Sequence, residues 1–366
     1  MIVCLSPNGL NRYTGSASPT RLIVGTSNGV RLLERGDATE PWQSVGGALE
    51  RLHVSSLLYE PKHGGLFAGI HAGGLYFSDD GGRTWQRRTN GLTEEHVFSL
   101  RSVDAPSGTI IYAGTEPAAL FKTHDYGQTW QELPAVRDVS GREKWTFPAP
   151  PHVAHAKTIA FDPRDAQTFY LGIEQGALLK TTDGGASWRE LAGYARAEDR
   201  IYRDIHQVVP RPGHPDEIFM SGGIGLYYSP DAGETWEHLT DRDFRIGYPD
   251  QLLFSPLDDR VLFMSGAKGS PGTWRGTESA AGTIVRSGDL GRTWEVIDRG
   301  LPDGMRANVE AMSMQAYAGG FVLFVGTTDG DVYVSDDGAN RWSLVASGLG
   351  AISKGDHFRN LEAVAP

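Results

Sequence analysis

Cysteine is almost absent from this chain. Its one thiol, Cys4, excludes an internal disulfide and a Cys-rich metal site, and the apolar neighbours in MIVCLSP mark it as a core residue rather than a nucleophile. Long apolar runs are missing too. No stretch approaches the length needed to span a bilayer, and the start has no basic n-region of a signal peptide, so no membrane role and a cytoplasmic address are expected. Positive charge is the scarcer sign. With 34 Lys+Arg against 45 Asp+Glu the formal net charge is −11, the wrong sign for a broad phosphate-binding face, and nucleic acid is not expected as a partner.

Glycine, by contrast, is plentiful at 47 residues, and internal repeats account for it. One octapeptide recurs as SDDGGRTW (78–85), THDYGQTW (123–130), TTDGGASW (181–188), SPDAGETW (229–236) and SGDLGRTW (287–294), with a weaker copy, SDDGANRW (335–342). Before each lies a pair of short alternating apolar runs such as GLFAGIHAGGLYFS (65–78), the signature of a β-hairpin, and before the hairpin one further strand such as SSLLYEP or TIAFDP. The unit is therefore four strands. Tryptophans 85, 130, 188, 236, 294 and 342 close six units, and Trp42, after RLIVGTSNGVRLLER (21–35), closes a seventh whose box has decayed. Their spacings of 43, 45, 58, 48, 58 and 48 residues suit propeller blades. The expectation is an all-β fold: one seven-bladed β-propeller domain over residues 1–366, built of four-stranded antiparallel blades and closed by pairing of N- and C-terminal strands. HFRNLEAVAP (357–366) is expected to supply the inner strand of blade one, with MIVCLSP as the rival. In each box, Asp and Ser/Thr can bond nearby backbone N–H groups, Gly tolerates positive φ and Trp caps the core, so the box is a turn staple rather than a catalytic carboxylate.

These boxes resemble those of the Asp-box or BNR-repeat propellers of the sialidase superfamily, which includes sialidases, xyloglucanases, sortilin-type receptors and photosystem II assembly factors. The resemblance covers nearly the whole chain and implies the fold. It is nearest to bacterial BNR-like, glycosyl-hydrolase-like proteins and brings no settled activity, since this architecture hosts enzymes, receptors and scaffolds alike. The sialidase nucleophile pair and arginine triad match no position here, which disfavours sialidase activity.

Chemistry is suggested by histidines. RLHVSSL (51–57), EEHVFSL (94–100), VAHAKTI (153–159) and GDHFRNL (355–361) share the order His, two residues, Ser/Thr/Asn, then Leu/Ile. As starts of innermost strands they place His53, His96, His155 and His357 at one mouth of the central channel, with Asp204 or His206, Tyr248 or Asp250, and Asn308 or Glu310 completing the circle. Imidazoles converging on an axis with carboxylates opposite suit a divalent transition metal, Fe, Mn, Zn, Cu or Ni, so His53, His96, His155, His206 and His357 are candidate ligands. The bland alternative is that mouth histidines bond water or backbone. Lys157, Arg203, Arg306 and Arg359 lie close to the ring and could hold an anionic substrate or neutralise its acids. The primary expectation is a metal-dependent enzyme acting on a small, anionic substrate by hydrolysis, elimination or oxidation, with Asp204, Glu310, Arg203 and Arg359 as candidate catalytic residues. The alternatives are a non-catalytic binding or assembly propeller with a protein partner, and a metal-free glycoside hydrolase.

Overall fold

The computed structural model describes residues 2–195 and 203–362. Among them, seven sheets form the blades of a closed ring, each inner strand packing on that of the next blade. Blade two shows the pattern: Val54–Glu60 is innermost, followed outward by Gly65–Ile70, Gly74–Ser78 and Gln86–Arg87, every pair antiparallel. Blades three to seven start from His96–Ala105, His155–Asp162, Ile205–Arg211, Tyr248–Phe254 and Val309–Tyr317. No helix among the described residues is long and apolar enough to cross a membrane.

The Asp boxes are turn staples, as expected. In the first, Asp80 Oδ1 accepts from the backbone N–H of Arg83 and Thr84 at 3.0 and 2.9 Å, its Oδ2 accepts from Thr84 Oγ1 at 2.6 Å, and Ser78 Oγ accepts from Gly82 N–H. Trp85 then folds back so that its Nε1 donates to Gly82 O. The carboxylate's bonds to the Thr or Ser four residues on, and the Gly N–H bond to the Ser or Thr that opens the box, recur at Asp125, Asp183, Asp231 and Asp289, all in turns at the outer edges of the blades.

A second repeated device sits at the inner strands. In blades two to seven the pairing of the first two strands slips by one residue near its start, as between Val54 and Ser56 or Val97 and Ser99. Such a bulge bends the strand and re-aims the residue before it. The Ser/Thr of the histidine pattern joins blades here: Ser99 Oγ donates to Ala156 O of blade four at 2.8 Å. The glycine opposite leaves room for it, since a Cβ on Gly114 would lie 2.4 Å from Ser99 Oγ and 2.5 Å from Ala156 O.

Ring closure corrects one expectation. The inner strand of blade one is Ile2–Leu5 (β1), which pairs in parallel with Arg21–Thr26, Cys4 opposite Ile23. IVCL is four consecutive apolar residues, all buried, as an inner strand wedged between two neighbours requires. HFRNL instead carries charge and coils: Asp356–Phe358 is a 3-10 turn and Arg359–Glu362 a helical turn, while residues 363–366 lie outside the described residues. Terminal parts of the chain do pair, but in blade seven, where Arg12–Thr14 (β2) adds a parallel fifth strand beside Val309–Tyr317.

Between β1 and β2 the chain threads the channel. Asn8 N–H donates to Ser55 O and Leu10 N–H to Leu57 O of blade two, Asn8 O accepts from Leu100 N–H of blade three, Pro7 O accepts from Gln251 of blade six, and Asn11 O accepts from Met314 N–H of blade seven. Gly9 is required for this passage, because a Cβ there would sit 2.1 Å from Leu57 O.

Candidate functional site

With one end of the channel filled by this strap, chemistry-bearing side chains gather at the other, where the inner strands begin. Registers explain the gathering. The first residue of an inner strand faces the end of the second strand, which opposes His96 to Glu116 and His155 to Glu174, while His71 N–H donates to His53 O in the same place on blade two. Blade two thus offers two histidines and blades three and four a histidine with a glutamate. Blade five brings His206, one residue beyond the start of its inner strand, with Asp204 before it.

The predicted histidines do not share a focus. His53 Nε2 is bonded to Ser353 O at 2.8 Å. His155 lies between two carboxylates, its Nε2 bonded to Glu174 and its Nδ1 3.3 Å from Glu116, with its ring stacked on Phe98. His206 Nδ1 bonds Pro249 O at 2.6 Å and its Nε2 lies 3.3 Å from Asp204. His357 belongs to the C-terminal turn rather than to a strand, and its Nδ1 is 3.7 Å from Glu310. They form an arc, not a shell around one point. Two tighter groups of potential ligands exist among the described residues: His71, His96 and Glu116, half-buried, and Glu174, Asp204 and His206, fully buried.

Beneath the arc lies a buried ionic core that the sequence did not disclose. Residues Ser353 and Lys354 enter the channel from above. Lys354 is 4% exposed; its ammonium bonds Asp250 and lies 4.9 Å from the centre of the Tyr248 ring. Glu310 accepts from Ser353 Oγ at 2.8 Å and from Lys354 N–H at 2.9 Å, and Asn308 bridges Asp250 and Glu310. Across the channel Lys157 is bonded to Glu174. Burial is the largest influence on each of these groups and disfavours its charged form, yet the partners outweigh it for most of them. Lys157 and His155 hold Glu174 well below the usual carboxylate range, His206 lowers Asp204, and His357 and Lys354 hold Glu310 at about 2. Lys354 is raised by Asp250 and Glu174, and His155 by Glu174 and Glu116, whereas burial wins at Lys157, which falls to about 8. Burial followed by the neighbouring imidazoles His53 and His96 lowers His71 to about 4.

Above this core opens a cavity of about 410 Å³ walled by Phe98, Phe147, Pro150, Pro151, Val153 and the C-terminal turn, with Arg275 and Arg359 at its rim. Of the segment 135–153, Phe147 shelters the mouth, 4.9 Å from the His155 ring, whereas Trp145 packs into the core between blades three and four. The Gly/Ser-rich stretch 268–283 is a loop at the same mouth, anchored by fully buried Trp274. Among the candidate catalytic residues, Asp204 and Glu310 sit in the ionic core. Arg359 is exposed beside Asp356, and Arg203 bonds Gly176 O and Glu190 outside the cavity lining. Sequence reasoning missed His71, Glu116, Glu174 and Lys354. A signal for three of them existed: Gly-Ile-His (69–71), Gly-Thr-Glu (114–116) and Gly-Ile-Glu (172–174) repeat at the end of the second strand. Lys354 lies in no repeat and gave none.

With this geometry in hand, comparison with known proteins gives the following. Residues 35–147 match the family model described as photosynthesis system II assembly factor YCF48. The photosystem II assembly lipoprotein Ycf48 of Synechococcus sp. is 26% identical over 72% of this chain and 75% of its own length. An oligoxyloglucan-reducing end-specific xyloglucanase of Emericella nidulans is 24% identical over 41% of this chain, which spans only 17% of that enzyme. A solved structure of YCF48 bound to D1 peptide superposes with a TM-score of 0.57 at 14% identity, covering 88% of this chain and 89% of that one. The likeness to the solved structure thus supports the β-propeller fold that the boxes suggested.

Proposed function

We propose that this protein is a non-catalytic binding propeller that holds an extended segment of a protein partner at the histidine mouth. The observation that carries this reading is the state of the carboxylates. A glycoside hydrolase needs one carboxyl group kept protonated as a general acid opposite an ionised partner. At this mouth Glu116 faces His155, Glu174 is bonded to His155 and Lys157, Asp204 faces His206, and Glu310 accepts from Ser353 and Lys354 N–H, so each spends its charge on an internal partner and is held below its usual range. What remains open to solvent is a recess with aromatic and proline walls and arginines at its rim, the composition that grips an apolar or aromatic side chain flanked by an acidic one. Similarity to proteins named as assembly factors, one of them seen with a bound peptide, supports the same reading.

The test is selection from a random peptide library displayed on phage, followed by calorimetry with the enriched peptides. Peptides carrying an acidic residue next to an aromatic one are expected, with affinity reduced at least tenfold in Phe147→Asp and in Arg275→Glu/Arg359→Glu, both folded as wild type. Hydrolysis of xyloglucan oligosaccharides that disappears in Glu174→Gln would overturn the proposal, as would a library from which no peptide is enriched.

A further inference from the structure

The two ligand groups at the mouth differ in whether a buried lysine already occupies them. Glu174, Asp204 and His206 are served by the ammonium groups of Lys157 and Lys354, the first bonded to Glu174 and the second 4.0 Å from it, and His206 Nδ1 is committed to Pro249 O. A metal ion there would have to displace two buried lysines. Among the described residues no lysine or arginine is paired with the other group: the named neighbours of His71, His96 and Glu116 are His53, Phe98 and His155, and His155 meets Glu116 at Oε2 rather than at the Oε1 beside His96.

We propose that His71, His96 and Glu116 bind one first-row divalent transition metal ion, with a coordination position left open to the mouth cavity. Three observations point there. First, the ligand atoms of all three lie within 4.8 Å of one another. Second, His96 Nδ1 is buried without a hydrogen-bond partner and stands 3.4 Å from Glu116 Oε1. That gap is long for a hydrogen bond, but it falls within the edge of about 3.3–3.6 Å of a tetrahedron whose corners are about 2.0–2.2 Å from a central ion. His71, in the turn after Gly65–Ile70 and with its ring 5.0 Å from that of His96, offers the third ligand atom within the same 4.8 Å. Third, the carboxylate is held from behind. Glu116 Oε2 faces His155 Nδ1 at 3.3 Å, and His155 is fixed by Glu174 and by stacking on Phe98, the kind of outer support that orients a metal-ligating carboxylate. Two imidazoles with one carboxylate suit Zn, Fe, Co, Ni, Cu or Mn rather than Ca or Mg, which prefer oxygen. The site goes beyond the peptide-binding reading and does not depend on it.

Chelator-stripped full-length protein, titrated with Co(II) and followed by its visible absorption and by calorimetry with Zn(II), tests this. One equivalent is expected to bind, with affinity falling at least tenfold in His71→Ala and in Glu116→Gln, while the exposed-site variant His214→Ala leaves it unchanged. His71 lies in a half-exposed turn, so its variant keeps the fold, and an unaltered melting temperature without metal checks that. Absence of stoichiometric binding of both ions by the wild type overturns the proposal, and so does one-equivalent binding that survives in His71→Ala and Glu116→Gln together.

Discussion

An aspartate that closes a turn must stay ionised to do so. In the boxes, hydrogen bonds from the Thr or Ser of the same box are the first cause that holds Asp183 and Asp289 at about 2, against the 3.8 of an unperturbed side chain. A depressed folded-state pKa gives stability that is complete above the unfolded value and is lost as pH falls through the folded one. Thermal melts between pH 5 and pH 2 are therefore expected to show a decline below about pH 4. The decline should be shallower in an Asp183→Asn/Asp289→Asn variant that is already less stable at neutral pH; equal slopes would remove the boxes from the acid response. Two kinds of box tryptophan can be contrasted. Trp130 and Trp342 are buried, and their indole N–H groups cross to Arg88 O and Ile297 O of the preceding blades. Trp85 and Trp294 are half-buried and bond only the glycine of their own box. Replacing Trp130 or Trp342 by alanine should cost about 3–5 kcal/mol in urea unfolding, and Trp85 or Trp294 distinctly less.

At the level of elements, the strands that repeat were legible and those that occur once were not. Box, hairpin and preceding strand recur with small variation, so blades two to seven could be read from the sequence alone. Closure happens once. IVCL and HFRNL both looked able to fill blade one, and the choice between them rests on burial on two faces, which no repeat signals. The same reasoning explains the site. His53, His96 and His155 stand out because they recur before inner strands, but Glu116 and Glu174 belong to second strands whose opposition to them is a matter of register, and Lys354 arrives from a segment outside the repeats. Truncation separates the roles of the two termini. Removing residues 355–366 takes away a turn at the mouth and the contact of Arg306 with Leu361, leaving every sheet intact. Cooperative unfolding is expected to persist. Removing residues 2–15 deletes β1, β2 and the strap, and should abolish it. Calorimetry on both chains checks the contrast, and equal loss in the two would return the C-terminal segment to a closing role.

For the whole molecule, the ionic core turns the channel into a neutralised plug rather than a conduit. Lys354→Met leaves Asp250 and Glu310 without their cation in a fully buried place, and breaking a pair there costs on the order of 3–5 kcal/mol. Adding Asp250→Asn should return part of that loss in denaturant titrations; no recovery would mean that the lysine acts through packing alone. Cys4 reports on the same closed ring. Burial pushes its thiol up to about 12, so a thiol reagent at neutral pH should label it no faster than the protein unfolds globally. The strap through the channel carries a further consequence for how the chain is born. Its residues leave the ribosome ahead of blades two to seven, yet Ala17 O awaits Gln315, 298 positions later, and β2 awaits the inner strand of blade seven. Until synthesis is nearly finished, IVCL can pair with Arg21–Thr26 but lacks blade seven on its other flank, so an interrupted product leaves apolar surface there of the kind that chaperones and proteases recognise. The strap and β2 thus act as a latch on the ring: only a chain whose seventh blade has been made can put them away.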